Sequence, residues 1–140
     1  MKLSKNLSLH ELVHPDFIEV LGDRAALSIC PKLIDTIQAL RDQLQSPIKI
    51  NDWHKGGKFK NSGLRILHSP VGSKISMHKT GHAADLKFKV SPEKVYYHIL
   101  NNPDKYPYIT RMENIEHTAS WLHIEAGDEK RAGNIEIFNP

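Results

Sequence analysis

The first hydrophobic-polar signal along the chain is a short one. Ser8-Leu9-His10-Glu11 carries the capping-box pattern, a hydroxyl and a carboxylate placed to satisfy free amides at a helix start. It predicts a helix over residues 9–14 that stops before Pro15. The segment PDFIEVLGDRAALSICP then reads as helical fragments divided around Gly22. Pro31 suits a first helical turn. Leu33, Ile34, Ile37, Leu40 and Leu44 recur at helical spacing, so residues 31–44 make the clearest amphipathic helix. Pro47 ends that run, and IKIN (48–51) reads as a short strand.

Residues 52–76 lose all periodicity. Gly56, Gly57, Gly63, Pro70 and Gly72 punctuate a stretch longer than ordinary connections, which marks it as functional or disordered. Ala83 to Val90 predicts a strand. Ser91-Pro92-Glu93 supplies the cap, proline and acid of a helix start, with the helix running to residue 101. YITRME (108–113), SWLHIEA (120–126) and NIEIFN (134–139) are strand-like, and the intervening NIEHTA and GDEKRAG read as hairpin loops. Helices first and a mainly antiparallel sheet later predict the α+β class. With no internal repeat, low-complexity tract or linker, residues 1–140 read as a single domain.

Composition narrows the function classes. Hydrophobic residues make up 39% and charged residues 25%, near the soluble globular norm, so a chain of 140 residues can bury a core without staples. Cys30 is the only cysteine, which excludes an intramolecular disulfide. The N-terminus MKLSKNLSLHELV has lysines but no continuous apolar run, and no later stretch is long enough to span a bilayer. The expectation is cytoplasmic synthesis without a signal peptide or membrane partner. A net charge of +3 is modest, and without more than a basic loop behind it no nucleic-acid partner is expected. The nine histidines matter more, because imidazole is the commonest metal ligand.

Their spacing is most telling in Ser76-Met77-His78-Lys79-Thr80-Gly81-His82-Ala83-Ala84-Asp85. His78 falls where the loop ends and Asp85 inside the following strand, while Gly81, Ala83 and Ala84 let the backbone fold close. His123 on a neighbouring strand would complete two imidazoles and a carboxylate, leaving a fourth position for water, as a catalytic zinc site requires. His78 and His82 also make H-x-x-x-H. Gly81 disfavours a helix there, however, and Lys79 stands where the helical zinc motif needs glutamate. His82 therefore reads as a loop or supporting residue.

S-x-H-x-x-G-x-A-x-D followed by W-x-H, here Trp121-Leu122-His123, resembles the signature of the D-alanyl-D-alanine carboxypeptidase and endolysin zinc peptidases, whose fold is shared with the Hedgehog signalling domain. The N-terminal helix, IKIN strand, glycine loop and final strands follow the same order, as in the short phage-type members. The resemblance implies one zinc ion held by His78, Asp85 and His123, with Ser76 helping to hold substrate. It also implies a peptidoglycan peptide as substrate, reached by a phage or lysis route.

Such enzymes need a general base. Many relatives carry one three residues before the last ligand, where this chain has Ser120. Others place a glutamate at the end of the preceding strand, which here is Glu113, with Glu116 and His117 on the hairpin as alternatives. Many also carry an arginine after the strand equivalent to IKIN, where this chain has Asp52-Trp53-His54-Lys55. Arg65 is the substitute expected to fork onto a peptide carboxylate, and Arg111 the weaker one. The missing arginine argues against simple trimming of a terminal D-alanine. Trp121, and less directly Trp53, would wall the cleft. His54 and His68 are loop surface or peptide contacts, and the lysines at 55, 58, 60, 74 and 79 gather near its mouth. The alternative, prompted by Ser120, is a non-catalytic zinc or cell-wall-binding module of a phage structure.

Overall fold

Helix starts fall where their caps place them in the computed structural model, which covers residues 1–140. Helix α1 (Leu9–Leu12) begins at the capping box, where the Ser8 amide donates to Glu11 Oε2 at 2.8 Å. It ends earlier than expected because Val13 is already extended and pairs with Leu64 of the glycine loop. Helix α2 (Pro15–Leu21) starts on the proline itself and passes into a 3-10 turn (Gly22–Ser28) at Gly22, whose φ is 56°. Helix α3 (Pro31–Leu44) has the expected bounds, and α4 (Pro92–Asn101) follows its serine cap.

The strands β1 (Ile48–Lys49), β2 (Ala83–Phe88), β3 (Ile109–Glu113), β4 (Leu122–Ala126) and β5 (Glu136–Phe138) form one sheet in the order β1-β2-β4-β3-β5. The class is α+β. Every pairing is antiparallel except β3 with β5. NIEHTA connects a β3–β4 hairpin as expected, but GDEKRAG does not connect a second one. Arg131 carries that segment across the start of β3, its guanidinium donating to the carbonyls of Tyr106 at 2.8 Å and Pro103 at 3.0 Å. The chain thus reaches the outer edge of β3 and runs parallel to it. Strand β1 is shorter than IKIN because the Asn51 amide turns away to the Glu11 carbonyl, 3.0 Å distant.

The sheet has two chemically different faces. On one, Ala84, Leu86, Met112, Leu122, Ile124 and Ala126 join a buried cluster with Leu33, Ile37 and Leu40 of α3 and Val95 and Ile99 of α4. Full burial of each large aliphatic side chain is worth roughly 1.5–3 kcal/mol, so this face fixes the strand register. Strand alternation then sends Asp85, Arg111, Glu113, His123 and Glu125 to the opposite face.

The glycine loop is ordered by backbone contacts rather than by regular structure. The Leu64 amide donates to the Leu12 carbonyl at 2.7 Å, and the Ser62 amide to Asn51 Oδ1 at 2.9 Å. Gly63 lies so close to the Leu12 backbone that a Cβ would overlap it. No helix is long and apolar enough to cross a membrane.

Candidate metal centre

The register assembles the centre. Asp85 on β2 lies directly opposite His123 on β4. The β3–β4 ladder pairs Met112 with Ile124, so the next step brings Glu113 level with His123. Asp85, His123 and Glu113 thus form one transverse row on the face away from the helices. His78 reaches the row from a 3-10 turn (Met77–Thr80) that ends at Gly81, φ 75°. Gly81 packs against the Ser28 carbonyl where a Cβ would overlap it, so glycine is required there twice over.

His123 Nδ1 lies 2.9 Å and His78 Nε2 lies 3.2 Å from Asp85 Oδ1, and the two nitrogens are 3.2 Å apart. A tetrahedral ion with bonds of about 2.0–2.1 Å needs ligand atoms about 3.3 Å apart. The three atoms therefore form one face of such a tetrahedron with almost no rearrangement, and the group can hold a metal ion.

Each ligand is oriented by its far side. His78 Nδ1–H donates to the Gly63 carbonyl at 2.9 Å, which leaves the Nε2 lone pair facing the centre. His123 Nε2–H donates to Glu125 Oε1 at 3.2 Å, leaving Nδ1 inward. Asp85 Oδ2 accepts from Arg65 Nη2 at 2.9 Å, leaving Oδ1 inward. Partners of this kind fix tautomer and rotamer at metal sites.

Without a cation, protons hold the cluster together. Burial opposes charge on His123, but hydrogen bonds to Asp85 and Glu125 outweigh it and hold the imidazole pKa up at about 9. Burial likewise opposes charge on Asp85, yet the two histidines keep its carboxyl well below the usual range. Glu113 differs: burial raises its pKa, and the Asp85 charge adds to the rise against the opposing histidines.

A cleft of about 380 Å³ opens over the centre and is also lined by Ser76, Arg65, Glu113 and Trp121. All seven predicted site residues therefore meet in one place. Arg65 lines the cleft, with its Nε donating to the Asn61 carbonyl at 2.5 Å and its Nη2 to Asp85 at 2.9 Å. Its direct effect is to aim a metal ligand. Arg111 is paired with Glu125 at 3.3 Å and Glu136 at 3.4 Å and lies over the Phe138 ring.

Several other expectations fall outside the cleft. Glu116 and His117 are exposed on the turn after β3 and do not line it. Trp53 and His54 stack with His10 instead, at ring distances of 5.6 and 5.7 Å. His68, His82 and the five loop lysines are absent from the lining.

Two contributors escaped the sequence reading, the Gly63 carbonyl and Glu125. Glu125 had a signal, since His123-Ile124-Glu125 puts an acid two residues from a ligand on the same strand face. Comparison with family profiles, curated proteins and solved structures finds no match.

Proposed function

We propose that this chain is a zinc-dependent peptidase acting on peptidoglycan stem or cross-bridge peptides, on a fold of the Hedgehog and D-Ala-D-Ala peptidase type. The observation that carries the proposal is the set of three donors at tetrahedral spacing, each oriented from behind, with Glu113 in the same strand row. Two imidazoles and one carboxylate suit zinc better than magnesium or calcium, which prefer all-oxygen sites. Zinc bound there supplies a Lewis acid that activates water and polarises a carbonyl.

The remaining roles belong to the chain. Glu113, its pKa raised by burial, takes the proton from the attacking water and passes it to the leaving amine. Ser76, at the start of the turn that carries His78, offers its hydroxyl to the substrate backbone. Trp121 gives the peptide a flat wall. Both arginines of the cleft already bind protein carboxylates, which favours an internal bond over trimming at a free carboxylate.

The test is to load the purified chain with zinc and digest purified peptidoglycan. New peptide termini are expected, and Glu113→Gln should lower their rate by about 10²–10⁴-fold while zinc stoichiometry stays at one in this centre. Zinc binding without new termini would sink the peptidase and leave a binding module. A centre that binds no zinc would sink both.

A further inference from the structure

A second group of metal-ligand side chains lies on the other side of the His78 turn. Cys30, His82 and Asp128 bring ligand atoms within 4.8 Å of one another from three separate elements. Cys30 precedes α3, His82 precedes β2, and Asp128 follows β4. Cys30 Sγ is 3.0 Å from Asp128 Oδ1, and His82 Nε2 is 3.6 Å from Asp128 Oδ2.

The orientation of His82 repeats the device seen at His78. Its Nδ1–H donates to the Thr80 carbonyl at 2.8 Å, so Nε2 presents its lone pair toward the Asp128 carboxylate. Two acceptors facing each other need a shared proton or cation between them. The sulfur is buried, and burial holds the Cys30 thiol above its ordinary pKa, so a bound cation is what would keep it as the thiolate. Tetrahedral zinc with one sulfur, one nitrogen and one oxygen ligand needs edges of about 3.3–3.6 Å. Rotation of the exposed Asp128 side chain adjusts its two edges, and the Cys30 sulfur and His82 nitrogen already lie within 4.8 Å of each other.

We infer that Cys30, His82 and Asp128 form a second binding site for a thiolate-preferring divalent cation such as zinc, with water as fourth ligand. On binding, the Cys30 thiol loses its proton to solvent and the sulfur bonds to the metal; nothing is oxidised. The site would clasp the elements that carry the first centre. The Cys30 amide already donates to the Gly81 carbonyl at 3.0 Å, and the Ala126 amide to the His82 carbonyl at 2.8 Å. A cation there ties α3, the His78 turn and the end of β4 together. Its role is structural support rather than catalysis.

Because Cys30 is the only cysteine, cobalt gives a clean readout. The full-length, reduced, metal-stripped chain is titrated with Co(II) while thiolate-to-cobalt charge-transfer absorption is followed. Two cobalt ions per chain are expected, one of them bringing the band. Asp128→Asn and Cys30→Ser should each remove the band and one equivalent, while His78→Ala should remove one equivalent and keep the band. Asp128 is exposed, so its variant tests the site even if Cys30→Ser folds poorly. One equivalent without a band would overturn the second site and leave the peptidase centre intact. One equivalent with the band, surviving in His78→Ala, would do the reverse. No binding at all would overturn both.

Discussion

Glu125 offers the sharpest test of how the centre is built. Its Oε1 accepts from His123 Nε2 at 3.2 Å, and its Oε2 is 3.3 Å from Arg111 Nη1. Glu125→Gln leaves one oxygen for these two donors. If the amide oxygen faces His123, the amide nitrogen confronts Arg111. If it faces Arg111, the nitrogen drives the imidazole to its other tautomer, with Nδ1 protonated and closed to metal. Arg111 is about a third exposed and has Glu136 within 3.4 Å, so it can swing away and the first orientation wins. Losing a partner behind a metal ligand weakens binding by about 10–100-fold. The Gln variant should fall near the tenfold end, about 1.4 kcal/mol, and Glu125→Ala, with no acceptor, near the hundredfold end, about 2.7 kcal/mol. Competition with a chromophoric zinc chelator measures both, and urea unfolding of the metal-free variants separates the effect from folding. Equal affinity in wild type, Gln and Ala would refute the assignment of His123 Nδ1 as a ligand atom held from behind.

Three further outcomes follow from the same geometry. Chelation of the metal should lower the melting temperature while leaving the far-ultraviolet dichroism of a folded chain, since zinc at 100 times its Kd adds only about 2.7 kcal/mol; loss of the dichroism would mean that the apolar core does not hold the fold alone. In the metal-free chain, the His123 pKa of about 9 lies above its ordinary value of 6.5. The stability from that shift is complete below pH 6.5 and is lost as pH rises through 9. Urea midpoints should fall across that window without zinc and hold steady with zinc, whose binding displaces the proton; matching slopes in both states would refute this. Gly63→Ala would push a Cβ into the Leu12 backbone, at a cost of about 1–3 kcal/mol, and pull the Gly63 carbonyl off His78. Unfolding and chelator competition should both weaken, and a variant unchanged in either would sever the link between that contact and the metal.

What the chain discloses before folding depends on whether a signal is local. The metal donors were legible because His78 and Asp85 fall in S-x-H-x-x-G-x-A-x-D and His123 in W-x-H, a combined motif that resembles a zinc-peptidase signature; spacing alone did not single them out. Helix α3 was legible from one apolar stripe. Glu113 is the first choice by resemblance, with Glu116 and His117 as alternatives; the β3–β4 register lines it with His123 and leaves the other two on an exposed turn. Arg65 could not be assigned, since a guanidinium takes whichever carboxylate the fold brings within 3 Å, and here that is Asp85. The Gly63 carbonyl leaves no trace at all, because every residue type carries one. The parallel placement of β5 is equally hidden: the Arg131 bonds that direct the crossover are long-range and have no period.

The apolar core and the metal centre are consequences of one register. In β4 the residues alternate Leu122, His123, Ile124, Glu125, Ala126, and all of them are buried, the apolar ones against α3 and α4 and the polar ones beneath the cleft. A slip of one residue against β2 would turn His123 and Glu125 into the helix layer and Leu122 and Ile124 into the cleft. Each misplaced aliphatic side chain would forfeit roughly 1.5–3 kcal/mol, and a buried carboxylate without partners would add several more. The core thus excludes the wrong register without help from any ion. Because packing has already brought Asp85 and His123 face to face, a cation entering from solvent meets donors held at its own bonding distances and need order almost nothing on arrival. For that reason the positioning of the centre is a property of the hydrophobic alternation in β2 and β4, and the charged residues behind the ligands refine it.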